Sequence, residues 1–165
     1  MNVPLAVTIK DGFTRGKLGL LRPARAAGTW SAWSLLLNLV WEVAQAPLYV
    51  FTAGSDMSAI GYSLLHCTLG DGLIALASYL IAATVTRDTL WPARHPWLGG
   101  SMAVAFGLAW TVISEWRNVY GSGTWGYSSQ MPLLFGIGIA PLLQWWIVPL
   151  LTLAIVRRQR PPTLA

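Results

Sequence analysis

The sequence predicts an all-α, polytopic membrane protein, a bundle of four transmembrane helices, and three observations carry that expectation. Of its 165 residues 55% are hydrophobic and only 10% charged, with ten tryptophans, whereas about a quarter of a soluble domain is charged. Four stretches come close to the roughly 20 apolar residues that a bilayer crossing needs. The basic residues gather on one side of those stretches. The expected organisation is a basic cytoplasmic N-terminal segment over residues 1–28, a transmembrane domain over 29–157 and a short cytoplasmic tail over 158–165, with no room for a separate soluble domain.

The segment Met1 to Gly28 carries Lys10, Arg15, Lys17, Arg22 and Arg25. It looks superficially like the charged region of a signal peptide, but the apolar run behind it continues to Phe51 and lacks a small-x-small cleavage site, so it is read as retained. Its apolar residues among cations fit a helix lying on an anionic membrane surface or, equally, a disordered basic tail.

The first span is placed from Trp30 to Phe51. Asn38, Glu42 and Gln45 are spaced by four and three and so share one helix face. Pro47 removes an amide donor beside them, which produces either a simple bend or a polar cavity. The second span runs from Ser58 to Thr86, with Ser63, Cys67 and Asp71 in one stripe, His66 and Gly70 on its flank, and Gly70 and Gly72 bracketing Asp71. The third runs from Trp97 to Tyr120 and carries Gly99, Ala103 and Gly107 at every fourth position, a seam for close helix packing. The fourth runs from Pro132 to Val156 and contains Pro141 and Pro149. Loops at 52–57, 87–96 and 121–131 are rich in Gly, Pro, Ser or Asp.

Ten of the eleven Lys and Arg residues fall in the N-terminal segment, the second loop and the C-terminus, and only Arg117 lies near the other side. By the positive-inside rule both termini are cytoplasmic, in a bacterial inner membrane. The formal charge of +5 then reflects topology and implies no nucleic-acid partner. Cys67 is the only cysteine, which excludes an intrachain disulfide and a Cys-type zinc cage. Gly-rich phosphate loops, nucleophile elbows, His-Glu-x-x-His and Cys-x-x-Cys are all missing from the sequence.

Chemistry is expected where ionisable groups interrupt the apolar spans: Glu42, His66, Asp71 and Glu115. A carboxylate in hydrocarbon is costly unless it is paired, hydrated, protonated or metal-bound, so such groups face the interior and mark working sites. Counting helix rise puts Glu42 and His66 at about 10 Å from the outer surface, Glu115 somewhat higher, and Asn38, Asp71 and Gln144 in a deeper tier at about 16–18 Å. Three readings compete. The polar groups hydrogen-bond the helices together, with the acids protonated or paired with Arg117; or Glu42, His66 and Glu115 hold a divalent metal; or Glu42 and His66 act as general acid and base on a lipophilic substrate. Asn38, Gln45, Asn118 and Gln144 would contact the ligand. Trp125 and Tyr127, in an aromatic loop, form either a lid over it or an interfacial belt. His95 is separate, near the inner surface.

The motifs Trp41-Glu42-x-x-Gln45-x-Pro47-Leu48-Tyr49, His66-x-x-x-Gly70-Asp71, Glu115-Trp116-x-Asn118 and Pro141-Leu142-Leu143-Gln144-Trp145 resemble a group of small, uncharacterised four-helix bacterial membrane proteins. The resemblance covers about Trp30 to Pro149 and implies a four-span unit with one composite site, but no activity. A fainter likeness is to the emopamil-binding sterol isomerases, from which this chain departs by placing its first acid on the first span. The leading functional expectation is a membrane-embedded enzyme acting on a lipophilic substrate, with or without a divalent metal. The alternatives are a metal-handling or transport accessory and a structural subunit, homo-oligomeric or within a larger membrane complex. Continuous conduction by one protomer is disfavoured because the inner halves of the spans are apolar.

The charge asymmetry yields a topology test. Single cysteines placed in loops 52–57 and 121–130 should react with an impermeant maleimide added to intact cells, while those at either terminus or in 87–96 should react only after lysis; reaction of a terminus in intact cells would reverse the orientation.

Overall fold

The computed structural model describes residues 5–51 and 57–159. A single helix, α1 (Leu5–Gln45), runs through both the basic segment and the expected first span. The helical alternative for the N-terminal segment is therefore the one observed; alanines 24, 26 and 27 around Pro23 favour it locally. The helix stops at Gln45, earlier than expected, because Pro47 has no amide to continue the ladder. A 3-10 turn (Ala46–Leu48) leads into strand β1 (Tyr49–Phe51). The expected loop at 52–57 lies almost wholly outside the described residues.

Helix α2 spans Met57–Thr86, a short α3 spans Trp91–Arg94, and α4 spans Pro96–Glu115 before widening into a π-helical turn over Trp116–Ser122. Strand β2 (Trp125–Tyr127) pairs antiparallel with β1, setting Tyr49 opposite Tyr127 and Phe51 opposite Trp125. Strands β3 (Leu133–Leu134) and β4 (Ile137–Gly138) form a tight hairpin, and α5 (Ile139–Arg158) follows. The fourth helix thus starts seven residues later than the sequence reading placed it. Pro141 consequently sits in the first turn of α5, where the missing amide costs little.

The chain is mainly helical, and three helical segments among the described residues are long and apolar enough to cross a membrane: Ile60–Thr86, Pro96–Ser122 and Ile139–Arg158. Helix α1 is not one of them. Its second half carries Ser31, Ser34, Asn38, Glu42 and Gln45, and Trp30 to Gln45 measures only about 24 Å, less than the hydrocarbon thickness of a bilayer. As packing, however, the four long helices close a ring, α1 on α2, α2 on α4, α4 on α5 and α5 on α1. Ser34 Oγ and Thr152 Oγ1, 3.2 Å apart, tie the last of these contacts.

At the end of the ring opposite the β1–β2 pair lies an aromatic core whose centre, Trp91, falls in the segment expected to be a loop. Trp91 of α3 is fully buried against Trp30, Tyr79, Ala82, Ala103 and Leu153. Its indole N–H donates to the Tyr79 carbonyl at 3.2 Å, and that of Trp30 donates to the Ala75 carbonyl at 3.0 Å. Buried indoles need such partners, and backbone carbonyls of α2 provide them here. Asp88 closes the connection by accepting from the Leu90 amide at 2.8 Å, with Arg94 and His95 at 3.5 and 3.9 Å. His95 is thereby a partner of Asp88, far from the acids of the other end.

The small-residue stripe of α4 receives two tryptophans. A Cβ at Gly99 would lie 2.1 Å from the Trp91 ring, and one at Gly107 would lie 2.0 Å from the Trp145 ring. Both indoles are buried, so neither can swing aside freely. Gly107→Ala is expected to cost about 1–3 kcal/mol by overpacking, read as a lower thermal midpoint in detergent; an unchanged midpoint would show that the seam can relax.

Candidate functional site

Three of the ring helices bring polar side chains to a common point. Glu42 lies one turn before the end of α1, Gln144 lies about 7.5 Å into α5, and Asp71 meets them from the middle of α2. The Gln144 amide nitrogen is 3.0 Å from Asn38 Oδ1, 3.1 Å from Glu42 Oε1 and 2.8 Å from Asp71 Oδ2. Gln45 Nε2 donates to Glu42 Oε1 at 2.7 Å and to Gln144 Oε1 at 3.1 Å, while its own carbonyl accepts from Trp41 Nε1 at 3.1 Å. The two tiers inferred from helix rise therefore merge, because α1 ends early and α5 begins late. Glu42 and Asp71 share one donor.

That donor is oversubscribed. An amide NH2 has two hydrogens, and the Gln144 nitrogen faces three acceptors, two of them carboxyl groups. The Asn38 amide nitrogen is buried without a hydrogen-bond partner, so it does not relieve the excess. Glu42 and Asp71 also hydrogen-bond each other directly, a contact in which one of the two carboxyls carries the proton and donates it.

Glu115, at the C-terminal end of α4 and only 6% exposed, is held from the other direction. The hydroxyls of Tyr127 and Tyr49 donate to its two oxygens at 2.7 and 3.3 Å. Trp125 interacts with the same carboxylate, although its buried indole N–H lacks a well-aligned hydrogen bond. Tyr49 and Tyr127 stand opposite each other in the β1–β2 pair, so the strand pairing is what aims both phenols at one acid. Burial, and next the proximity of Glu115, push both phenols above the ordinary tyrosine range. Each stays a donor at any physiological pH.

Between the two groups lies a cavity of about 250 Å³. Glu42, His66, Asp71, Glu115, Gln45, Asn118, Trp125 and Gln144 all line it, so the structure brings together every sequence-predicted acid and most of the predicted contact residues. Asn38 stands behind Gln144, and Tyr127 reaches the site through Glu115. Asn118 binds its own helix, donating to the Ser114 carbonyl at 2.8 Å. His66, Trp110 and Thr124 are the exposed members of the lining and mark a mouth between α2 and α4.

Two expectations need correction. Among the described residues no three His, Cys, Asp or Glu side chains are grouped so as to hold a metal, so the set of Glu42, His66 and Glu115 does not form. His66 shares the cavity with Glu42 but lies exposed at the mouth, stacked on Tyr62 at 6.1 Å, while Glu115 is drawn toward the two tyrosines. Nor does Arg117 neutralise an acid. The ion pairs found among the described residues both involve Asp88, and Arg117 is exposed. Sequence reasoning missed Tyr49, Trp110 and Trp145 as parts of the site. Tyr49 was visible only as the end of a motif, since its partner acid is 66 positions away.

Compared with family models, curated proteins and solved structures, the chain matches none.

The shielded phenols give a spectroscopic expectation. In an alkaline titration followed at the tyrosinate band, Tyr49 and Tyr127 should ionise only well above pH 10, and Tyr127→Phe should remove amplitude from that late phase. Because the folded state favours the neutral phenols, their contribution to stability is complete below the unfolded-state value near 10 and is lost as pH rises beyond it. A Tyr127→Phe protein with an unaltered late phase would place that phenol in water.

Proposed function

We propose that this protein is a membrane-embedded enzyme that moves a proton on a lipophilic substrate, within the cavity bounded by Glu42, Asp71 and Glu115. The observation that carries the reading is the set of three acids around one cavity, Glu42 and Glu115 buried and Asp71 partly so, with no Lys or Arg beside them among the described residues. A carboxylic acid gives a proton and a carboxylate takes one, so Glu42 and Asp71, hydrogen-bonded to each other and bridged by the Gln144 amide, contain both halves of acid–base chemistry within reach of one ligand. Glu115, fixed by two phenols, is a third group able to hold a polar substituent. The low-dielectric wall of Trp110, Trp145 and Ile74 suits an apolar body and strengthens each polar contact. Entry through the mouth between α2 and α4 would come from the bilayer, since Leu65, Leu69, Leu73 and Ile113 are exposed on the faces of those helices.

The same proposal includes the finer topology: the second half of α1 is a fourth, short span, the membrane is the bacterial inner membrane, and both termini are cytoplasmic. The unequal distribution of basic residues supports it. A helix-packing role is the second reading, favoured by the way Gln144 ties α5 to α1 and α2.

Proteoliposomes incubated in D2O with a total lipid extract should transfer solvent deuterium into a carbon position of one lipid class, detected by mass spectrometry. Asp71→Asn, nearly isosteric, should reduce that incorporation by about 100-fold or more while the thermal midpoint in detergent stays close to that of the parent. Label that is absent with the parent protein refutes the proton-transfer reading. Label that persists in Asp71→Asn assigns this aspartate to helix packing.

A further inference from the structure

The β3–β4 hairpin is built against its own sequence. Its two central residues, Phe135 at φ 51° and Gly136 at φ 83°, both adopt left-handed backbone, the primed turn that suits tight hairpins and that Asn-Gly or Gly-Gly adopts without strain. A bulky side chain is disfavoured there, because its Cβ crowds the neighbouring carbonyl. Phe135 is nevertheless 98% exposed, and Leu133 and Leu134 beside it are half exposed. In water this combines backbone strain with an uncovered ring.

Looseness is not the explanation, since the hairpin is pinned at several points. The Tyr120 hydroxyl donates to the Gly136 carbonyl at 2.7 Å, and the Ile139 amide donates to the Pro132 carbonyl at 2.8 Å. Ile137 and Gly138 are buried, and a Cβ at Gly138 would lie 3.0 Å from Met131 Sδ and 3.1 Å from Tyr127 Cε1. The base is fixed, so the tip presents Phe135 outward in a set direction.

We propose that this hairpin is a membrane anchor, with Leu133, Leu134 and Phe135 inserted into the interfacial layer of the bilayer at the cavity end of the bundle. Continuity with the lipid-facing surface identifies the occupant. Helix α5 starts at Ile139, immediately after the hairpin, and its 20 residues measure about 30 Å, the thickness of the hydrocarbon core. The first turn of α5 therefore lies at the boundary, and the hairpin tip lies at headgroup depth. Trp116 and Tyr120 in the π-helical turn after α4 are exposed, as are Leu143 and Trp146 on α5, with exposed Arg117 among them. Exposed aromatic and basic side chains at helix ends form the belt that seats a protein at the lipid–water interface. The anchor also bears on the cavity, because Gly138 packs on Tyr127 and Tyr127 holds Glu115.

The test uses the full chain carrying Cys67→Ala and a single new cysteine, Phe135→Cys or, with the phenylalanine retained, Leu134→Cys, labelled with an NBD dye in phosphatidylcholine nanodiscs. Both sites should be quenched at least twofold more by 5-doxyl than by 16-doxyl phosphatidylcholine and should be protected from aqueous iodide. Quenching by iodide comparable to that of the free dye would put the tip in water and overturn the anchor. Protection from iodide and from both doxyl lipids would overturn it equally, by showing that protein, such as a second copy of this chain, covers the tip.

Discussion

One carboxamide organises the polar interior. Gln144 reaches Asn38 and Glu42 on α1 and Asp71 on α2 with a single nitrogen, and takes a hydrogen bond from Gln45 with its oxygen. Where no bulk water can satisfy a polar group, each must find its partner inside the protein, and a network of this kind orients every helix that contributes to it. The rotation of α1, α2 and α5 about their axes follows from that requirement.

The rest of the molecule holds this point still. At the far end, the indoles of Trp30 and Trp91 fill the ring and donate to backbone carbonyls of α2, while Gly99 and Gly107 let α4 approach the two tryptophans that pack on it. At the near end, pairing of β1 with β2 converts two connecting segments into a wall that directs Tyr49 and Tyr127 to Glu115. Site residues on helices and on a paired strand are positioned more tightly than side chains on free loops. The acids are thus fixed from both sides of a cavity whose mouth alone carries exposed lining residues.

The helical class with long apolar helices, the positions of the interior acids and the faces that carry them were all legible in the sequence. Charge is so scarce in this chain that Glu42, Asp71 and Glu115 stand out without any structure, and the spacing of Asn38, Glu42 and Gln45 follows directly from helical periodicity. The glycine stripe was legible as a packing seam for the same reason. Depth was not, because it depends on where each helix starts and stops, and Pro47 and the hairpin before Ile139 moved two of those ends.

What only the tertiary structure decided is which groups meet. Tyr49 meets Tyr127 across a strand pair of three residues, too short to leave a periodic signal. Trp91, in a segment that reads as a loop, is the centre of a core because α3 turns its indole between α1 and α2. His66 shares α2 with Asp71 but is turned to the mouth, and Arg117 stands two residues from Glu115 but faces outward. Local sequence determines the element and the face; which neighbour covers that face is settled by packing among residues tens of positions apart, and hydrophobic attraction, being non-directional, records no address for it in the chain.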